Sequence, residues 1–283
     1  MTRLAKYLLV IFILLLVVTI ALIITNVALE EQPPKIETSQ ADTTHFEVYL
    51  NGTKIDPNNS VMLSGVSLAI RNLDSEYSRI ISDFGLNYFP VFELRIFNDF
   101  DLYVKDQKLK NPEKDIGILD SRVAEGSIYN ASIIFYYLPE SFAKEPTSEV
   151  AVIPTHEFVH LIQNRFIKNV QSKVPPEWFR EGGATYESKM VTESSKTVVK
   201  NSLSKGENFK YIDLQELNGP PTNPTLFYPT VGLFYQYLVK NYSVLKVNSI
   251  FATCGDGEEF DKAFEEITQK SPEVFYNDWL SSL

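Results

Sequence analysis

Five residues in the middle of this chain, His156-Glu157-Phe158-Val159-His160, constrain its local conformation more than any other segment. The two histidines are four positions apart. On an α-helix, positions i and i+4 project from one face, so both imidazoles can reach a single point. Glu157 then points beside that point. Histidine is scarce here. The chain has three, His45, His156 and His160, and two of them fall in this pentapeptide.

Two neutral imidazoles with an adjacent carboxylate are the parts needed to hold Zn²⁺ and to take a proton from a water beside it. Two ligands are not a complete site, because a catalytic zinc normally has three protein ligands and one open position. The segment from Pro176 to Tyr186, PEWFREGGATY, offers the third. Glu181 follows His160 after a gap of 20 residues. That gap accommodates the end of one helix, a loop and the start of another. Gly182 and Gly183 let a second backbone come close. Glu177 and Glu187 compete for the same role, but Glu187 faces away from Glu181 if the segment is helical. The plainer alternatives are a surface helix carrying the pentapeptide by chance and a helix-start carboxylate at Glu181.

With Trp178, Phe179, Glu181, Gly182, Ala184 and Tyr186 following His156, Glu157 and His160, the chain resembles the gluzincin zinc peptidases. It is most similar to their short peptidase MA-like domains. The likeness runs from roughly Ser64 to Leu283, through Tyr228–Leu238 and on to Asp278-Trp279-Leu280. It implies an α+β zincin-like domain: a mixed sheet, an active-site helix and a mostly helical C-terminal part. It implies Zn²⁺ on His156, His160 and Glu181, with Glu157 as general base. Relatives use a tyrosine downstream of the third ligand to stabilise the oxyanion. Tyr228 is the best match, with Tyr186 and Tyr235 as alternatives. The chain departs from the family in a slightly longer spacing to Glu181 and in Pro154. A proline inside a helix removes a backbone hydrogen bond, so the helix either starts near Pro154 or starts near Ser148 and kinks.

Leu8–Ile24 is apolar apart from Thr19, and with Tyr7 it is long enough to cross a hydrocarbon core. Arg3 and Lys6 precede it, and no basic residue follows until Lys35. The positive-inside bias places the N-terminus in the cytoplasm and the rest outside. The expected organisation is therefore a stub at 1–6, a signal-anchor helix at 7–25, a stalk at 26–44 and an extracytoplasmic domain at 45–283. A cleaved signal peptide is the rival reading, although no clean small-x-small site follows.

The whole chain carries a net charge of −10. Such acidity argues against a nucleic-acid partner. Cys254 is the single cysteine, so no internal disulfide forms. Sequons occur at Asn51, Asn58, Asn130 and Asn241.

Along the domain, HFEVYLNGTKI from His45 predicts a hairpin turning at Asn51-Gly52. Ser67–Phe84 has helical spacing and PVFELRIF from Pro90 predicts a strand. Ser127–Tyr137 is expected to be one strand, and in a gluzincin-like arrangement it would be the sheet edge beside the cleft. Asn98–Lys114 is expected to be a loop or short helix. Helices are expected after Glu181 to about Lys189, and over 229–241, 256–269 and 273–283. Gly219–Pro229, rich in proline, is expected to wrap the cleft.

The expected activity is thus a membrane-anchored zinc peptidase acting on a peptide or protein substrate. A zinc-bound but catalytically silent surface domain that binds peptide or polysaccharide is the alternative. A structural or adhesion protein with an accidental motif is a third.

Overall fold

The computed structural model describes residues 45–57, 62–110, 122, 124–129, 132–216 and 223–283. The expected anchor at 7–25 and stalk at 26–44 lie outside the described residues. So do the sequons at Asn58 and Asn130. Among the described residues, no helix is long and apolar enough to cross a membrane.

The domain is α+β, with its strands early and its helices late. Strands β1 (Phe46–Leu50), β2 (Thr53–Ile55), β3 (Phe92–Phe97), β4 (Glu125–Tyr129) and β5 (Ile133–Tyr137) form one mixed sheet in the order β2-β1-β3-β5-β4. The three central strands are parallel, and the two outer ones run antiparallel to their neighbours. The β1–β2 turn is the expected one. Asn51 and Gly52 both take positive φ, at 48° and 80°, as a tight hairpin turn of this kind requires.

The segment expected to be one strand, Ser127–Tyr137, is instead a hairpin. Ser132 donates its backbone N–H to the Tyr129 carbonyl, and the chain doubles back. This moves the edge. β5 lies between β3 and β4 and is buried along its whole length, while β4 is the edge strand. Continuous apolar character over IIFYY marks an interior strand rather than an edge.

Side chains alternate across the sheet as the pleat demands. Leu94, Ile96, Ile134 and Tyr136 join the main core, while Phe97, Ile133, Phe135 and Tyr137 face the other way. Helix α1 (Ser64–Asp83) covers the main face. The charged stretch after Asn98 forms a full helix, α2 (Phe100–Lys110), which seats Tyr103 on the second face. Its Asp106 accepts from Arg95 of β3 at 2.9 Å.

The remaining chain is helical: α3 (Glu140–Lys144), α4 (Ser148–Ala151), α5 (Ile153–Arg165), α6 (Glu177–Glu187), α7 (Glu193–Lys205), α8 (Tyr211–Gln215), α9 (Pro224–Tyr242), α10 (Val244–Gly255), α11 (Phe260–Thr268) and α12 (Pro272–Ser281). Several boundaries differ from expectation, the α11 start at Phe260 rather than 256 among them. α6 starts at Glu177, directly after Pro175-Pro176, so Glu181 is in its second turn rather than at its start. α9 starts at Pro224, inside the segment expected to be a wrapping loop, with Pro229 within the helix. Proline at a first turn loses nothing, since that N–H has no intrahelical acceptor. α10 lies in a stretch for which no element is expected.

Candidate metal centre

Helix α5 answers the question posed by Pro154. α4 ends at Ala151 and α5 begins at Ile153, so Pro154 sits in the first turn and the helix does not kink. The helix is then fixed by what lies beneath it. Phe158 and Val159 are fully buried. The Phe158 ring stacks on Tyr77 and Phe92, each 5.1 Å away, and meets Phe89 edge-on at 5.5 Å. With that face locked, His156 and His160 project from another, their rings 4.8 Å apart and nearly perpendicular.

Helix α6 is locked by the same means. Trp178 and Phe179 are fully buried among Phe234, Phe260 and Phe251. Gly182 lets α9 approach, because a Cβ there would lie 2.7 Å from the Val231 carbonyl oxygen. These contacts leave Glu181 facing α5.

The three expected ligands come together. Glu181 Oε2 is 3.1 Å from His156 Nε2, and Glu181 Oε1 is 3.2 Å from His160 Nε2. The two Nε2 atoms are 3.2 Å apart. Among the described residues, His156, His160 and Glu181 form the group able to hold a metal ion. All three are largely buried, the two histidines at 7% exposure. Burial opposes a charge on His160, but the carboxylates of Glu181 and Glu157 outweigh it and push the imidazole up to about 9. Burial likewise opposes the charge on Glu181, yet His160 and His156 hold its carboxyl well below the usual range.

Of the competing carboxylates, Glu177 lies against Glu181 while Glu187 lies apart. Glu177 lies one turn before Glu181 and pairs with Arg180 at 3.2 Å; burial raises its carboxyl despite Arg180. Glu187 faces away and is fully buried. It accepts from Arg79 at 2.6 Å and from Asn248 at 3.0 Å. Burial pushes it up to about 7 against the pull of those two donors. Tyr228, on α9, meets the His156 ring edge-on at 6.1 Å. Burial and then the carboxylates of Glu181, Glu157 and Glu177 raise its hydroxyl, so it stays protonated and can donate. Tyr235 instead donates to Asn248, and Tyr186 lies beside Tyr235, on the Glu187 side. His45 stacks on Tyr77 at 4.0 Å and is not part of the metal group.

Two residues beside the group were not singled out by the sequence. One is Gln163, on α5. The other is Gly126, on the edge strand β4. A Cβ at Gly126 would lie 2.6 Å from Glu157 Cγ and 2.7 Å from both Glu157 Oε1 and Ile153 Cγ2. Gly126→Ala is therefore expected to displace the Glu157 carboxylate. The misplacement costs about 10²-fold in kcat if Glu157 is the base, with metal content unchanged. Unchanged kcat in a variant that carries metal would show that this contact does not set the position of Glu157.

No family model, curated protein or solved structure matches the chain. What the site can do is therefore argued from its own atoms.

Proposed function

We propose that this chain is a zinc-dependent peptidase of the gluzincin type, in a zincin-like domain, with His156, His160 and Glu181 as the metal ligands. The observation that carries this is the convergence of the two histidine Nε2 atoms, 3.2 Å apart, on the Glu181 carboxylate, one oxygen of which is 3.1 Å from His156 and the other 3.2 Å from His160. A tetrahedral zinc with bonds of 2.0–2.1 Å sets ligand–ligand edges of about 3.3–3.4 Å. The two imidazole nitrogens, 3.2 Å apart, are close to that edge, and the carboxylate faces both. Two imidazole nitrogens and one carboxylate oxygen also suit zinc chemically.

When bound, zinc supplies Lewis acidity and lowers the pKa of a water to about 7. The protein supplies the rest. Glu157 lies beside the ligands on the same helix and is placed to accept a proton and return it to the leaving amine. Tyr228 keeps its proton and can donate to the oxyanion that develops on the scissile carbonyl. The edge strand β4 passes directly over Glu157, and an extended peptide could pair with its outer side. A carboxylate placed for proton transfer is of no use to a silent binding domain, and this favours the peptidase over that alternative.

The signal-anchor at 7–25, with the domain outside the membrane, completes the proposal. The full chain, recovered from the membrane fraction and loaded with zinc, should hold about one ion per chain. It should cleave members of a peptide library, and a chelator should stop the cleavage. No zinc uptake under conditions that load other zinc proteins would overturn the metal centre. Recovery in the soluble fraction at full length would overturn the anchor.

A further inference from the structure

Gln163 is buried at 2% exposure on the ligand helix, three residues after His160. A buried side-chain amide must have its oxygen and its nitrogen satisfied. Gln163 Nε2 donates to the Arg180 carbonyl at 2.9 Å. That contact fixes which way the amide points. The oxygen Oε1 then faces His160 Nδ1 at 2.8 Å. A carbonyl oxygen only accepts, so Nδ1 must carry a proton. Nε2, which faces His156 and Glu181, is then the nitrogen available to bind a cation.

The same amide joins the two ligand-bearing helices. Arg180 is the residue immediately before Glu181. Its carbonyl is taken by Gln163, and its guanidinium donates to Asn164 Oδ1 at 3.1 Å. Two consecutive residues of α5 thus grip one residue of α6. The glycine pair after Glu181 has a matching use. A Cβ at Gly183 would lie 3.2 Å from Gln163 Nε2, so the glycine leaves the amide room to lie flat against α6. His156 has no such support, since its Nδ1 is buried without a partner among the described residues.

We propose that Gln163 is a positioning residue: it sets the tautomer of His160 and, through the Arg180 carbonyl, the register of Glu181 against it. This rests on the proposed metal centre. Partners of this kind orient a ligating imidazole, and their loss costs metal affinity. Gln163 touches neither substrate nor metal, so its effect must appear in affinity and in the histidine itself.

The test uses the full chain with ¹⁵N-labelled histidine, which carries three imidazoles in all. In the zinc-loaded and metal-free wild type, His160 should show a hydrogen-bonded Nδ1–H that exchanges slowly with water. Gln163→Leu should lose that signal. Its zinc affinity, from competition with a chelator, should fall about 10- to 100-fold, and the visible spectrum of the Co²⁺-loaded form should change. Gln163→Glu keeps an acceptor for Nδ1–H but cannot donate to Arg180. It should keep the signal and recover part of the affinity.

A Gln163→Leu chain that binds zinc within about threefold of wild type would overturn the inference and leave the peptidase standing. So would a zinc-loaded wild type in which His160 carries its proton on Nε2. The wild-type Nδ1–H signal decides the matter even if Gln163→Leu fails to fold. The slowly exchanging Nδ1–H of the metal-free chain, present in wild type and lost in Gln163→Leu, tests the Gln163 contact even if zinc uptake fails and the proposed function falls.

Discussion

Glu157→Gln is expected to lower kcat for peptide hydrolysis by about 10²- to 10⁴-fold, the usual contribution of a positioned general base. Zinc content should not change, because Glu157 is outside the triangle made by His156, His160 and Glu181. The substitution is close to isosteric, so the side chain should still fit beneath Gly126, where the space is too small for an added methyl. What it loses is the ability to accept a proton. Steady-state kinetics on a cleaved peptide and metal analysis of the same sample check both halves. A metal-loaded Glu157→Gln chain within about tenfold of wild-type kcat would remove Glu157 from the role of base. The Gly126→Ala chain provides a graded version of the same test, since it moves the carboxylate without removing it. The two variants acting together should be no worse than Glu157→Gln alone, because both act through one group.

The parts of the site that the sequence reveals are those set by short-range geometry. His156 and His160 share a helix face because they are four apart, and nothing tertiary is needed to see it. Glu181 could be picked out by its distance along the chain and by the glycines after it, yet its place within α6 could not. Pro175-Pro176 is a good helix-start signal, and an expected start at Glu181 itself is four residues late. The sheet shows the opposite weakness. Ser127–Tyr137 carries polar Asn130 and Ser132 between two short apolar stretches, a turn signal that is easily passed over because the stretches on either side show no alternation. Reading the segment as one strand hides the hairpin, and with it the fact that β4, not β5, is the edge strand beside Glu157. Gln163 and Gly126 were out of reach for another reason. A glutamine on a helix and a glycine on a strand carry no motif. Their value lies in what they touch across the fold, at Arg180 and at Glu157.

Glu181→Ala is expected to abolish stable zinc binding, and it separates the ligand from its two neighbours in sequence. Loss of an orienting partner alone costs about 10- to 100-fold in metal affinity, so loss of the ligand should cost more than about 100-fold. Stability follows by mass action. A ligand that binds only the folded state adds about 4.1 kcal/mol at a thousandfold excess over its Kd. For a domain of this size each kcal/mol moves Tm by about 2–4 °C. Wild type should thus melt roughly 8–16 °C higher with zinc than after chelation, and Glu181→Ala should show almost none of that gap. Two controls locate the effect. Glu177→Gln should keep zinc, because Glu177 pairs with Arg180 and is outside the triangle. Glu187→Gln should keep it too, because that carboxylate is held by Arg79 and Asn248 away from the histidines. If Glu181→Ala retains the zinc-dependent rise in Tm while Glu177→Gln loses it, the third ligand is Glu177. α6 would then have to present its first turn, rather than its second, to His156 and His160.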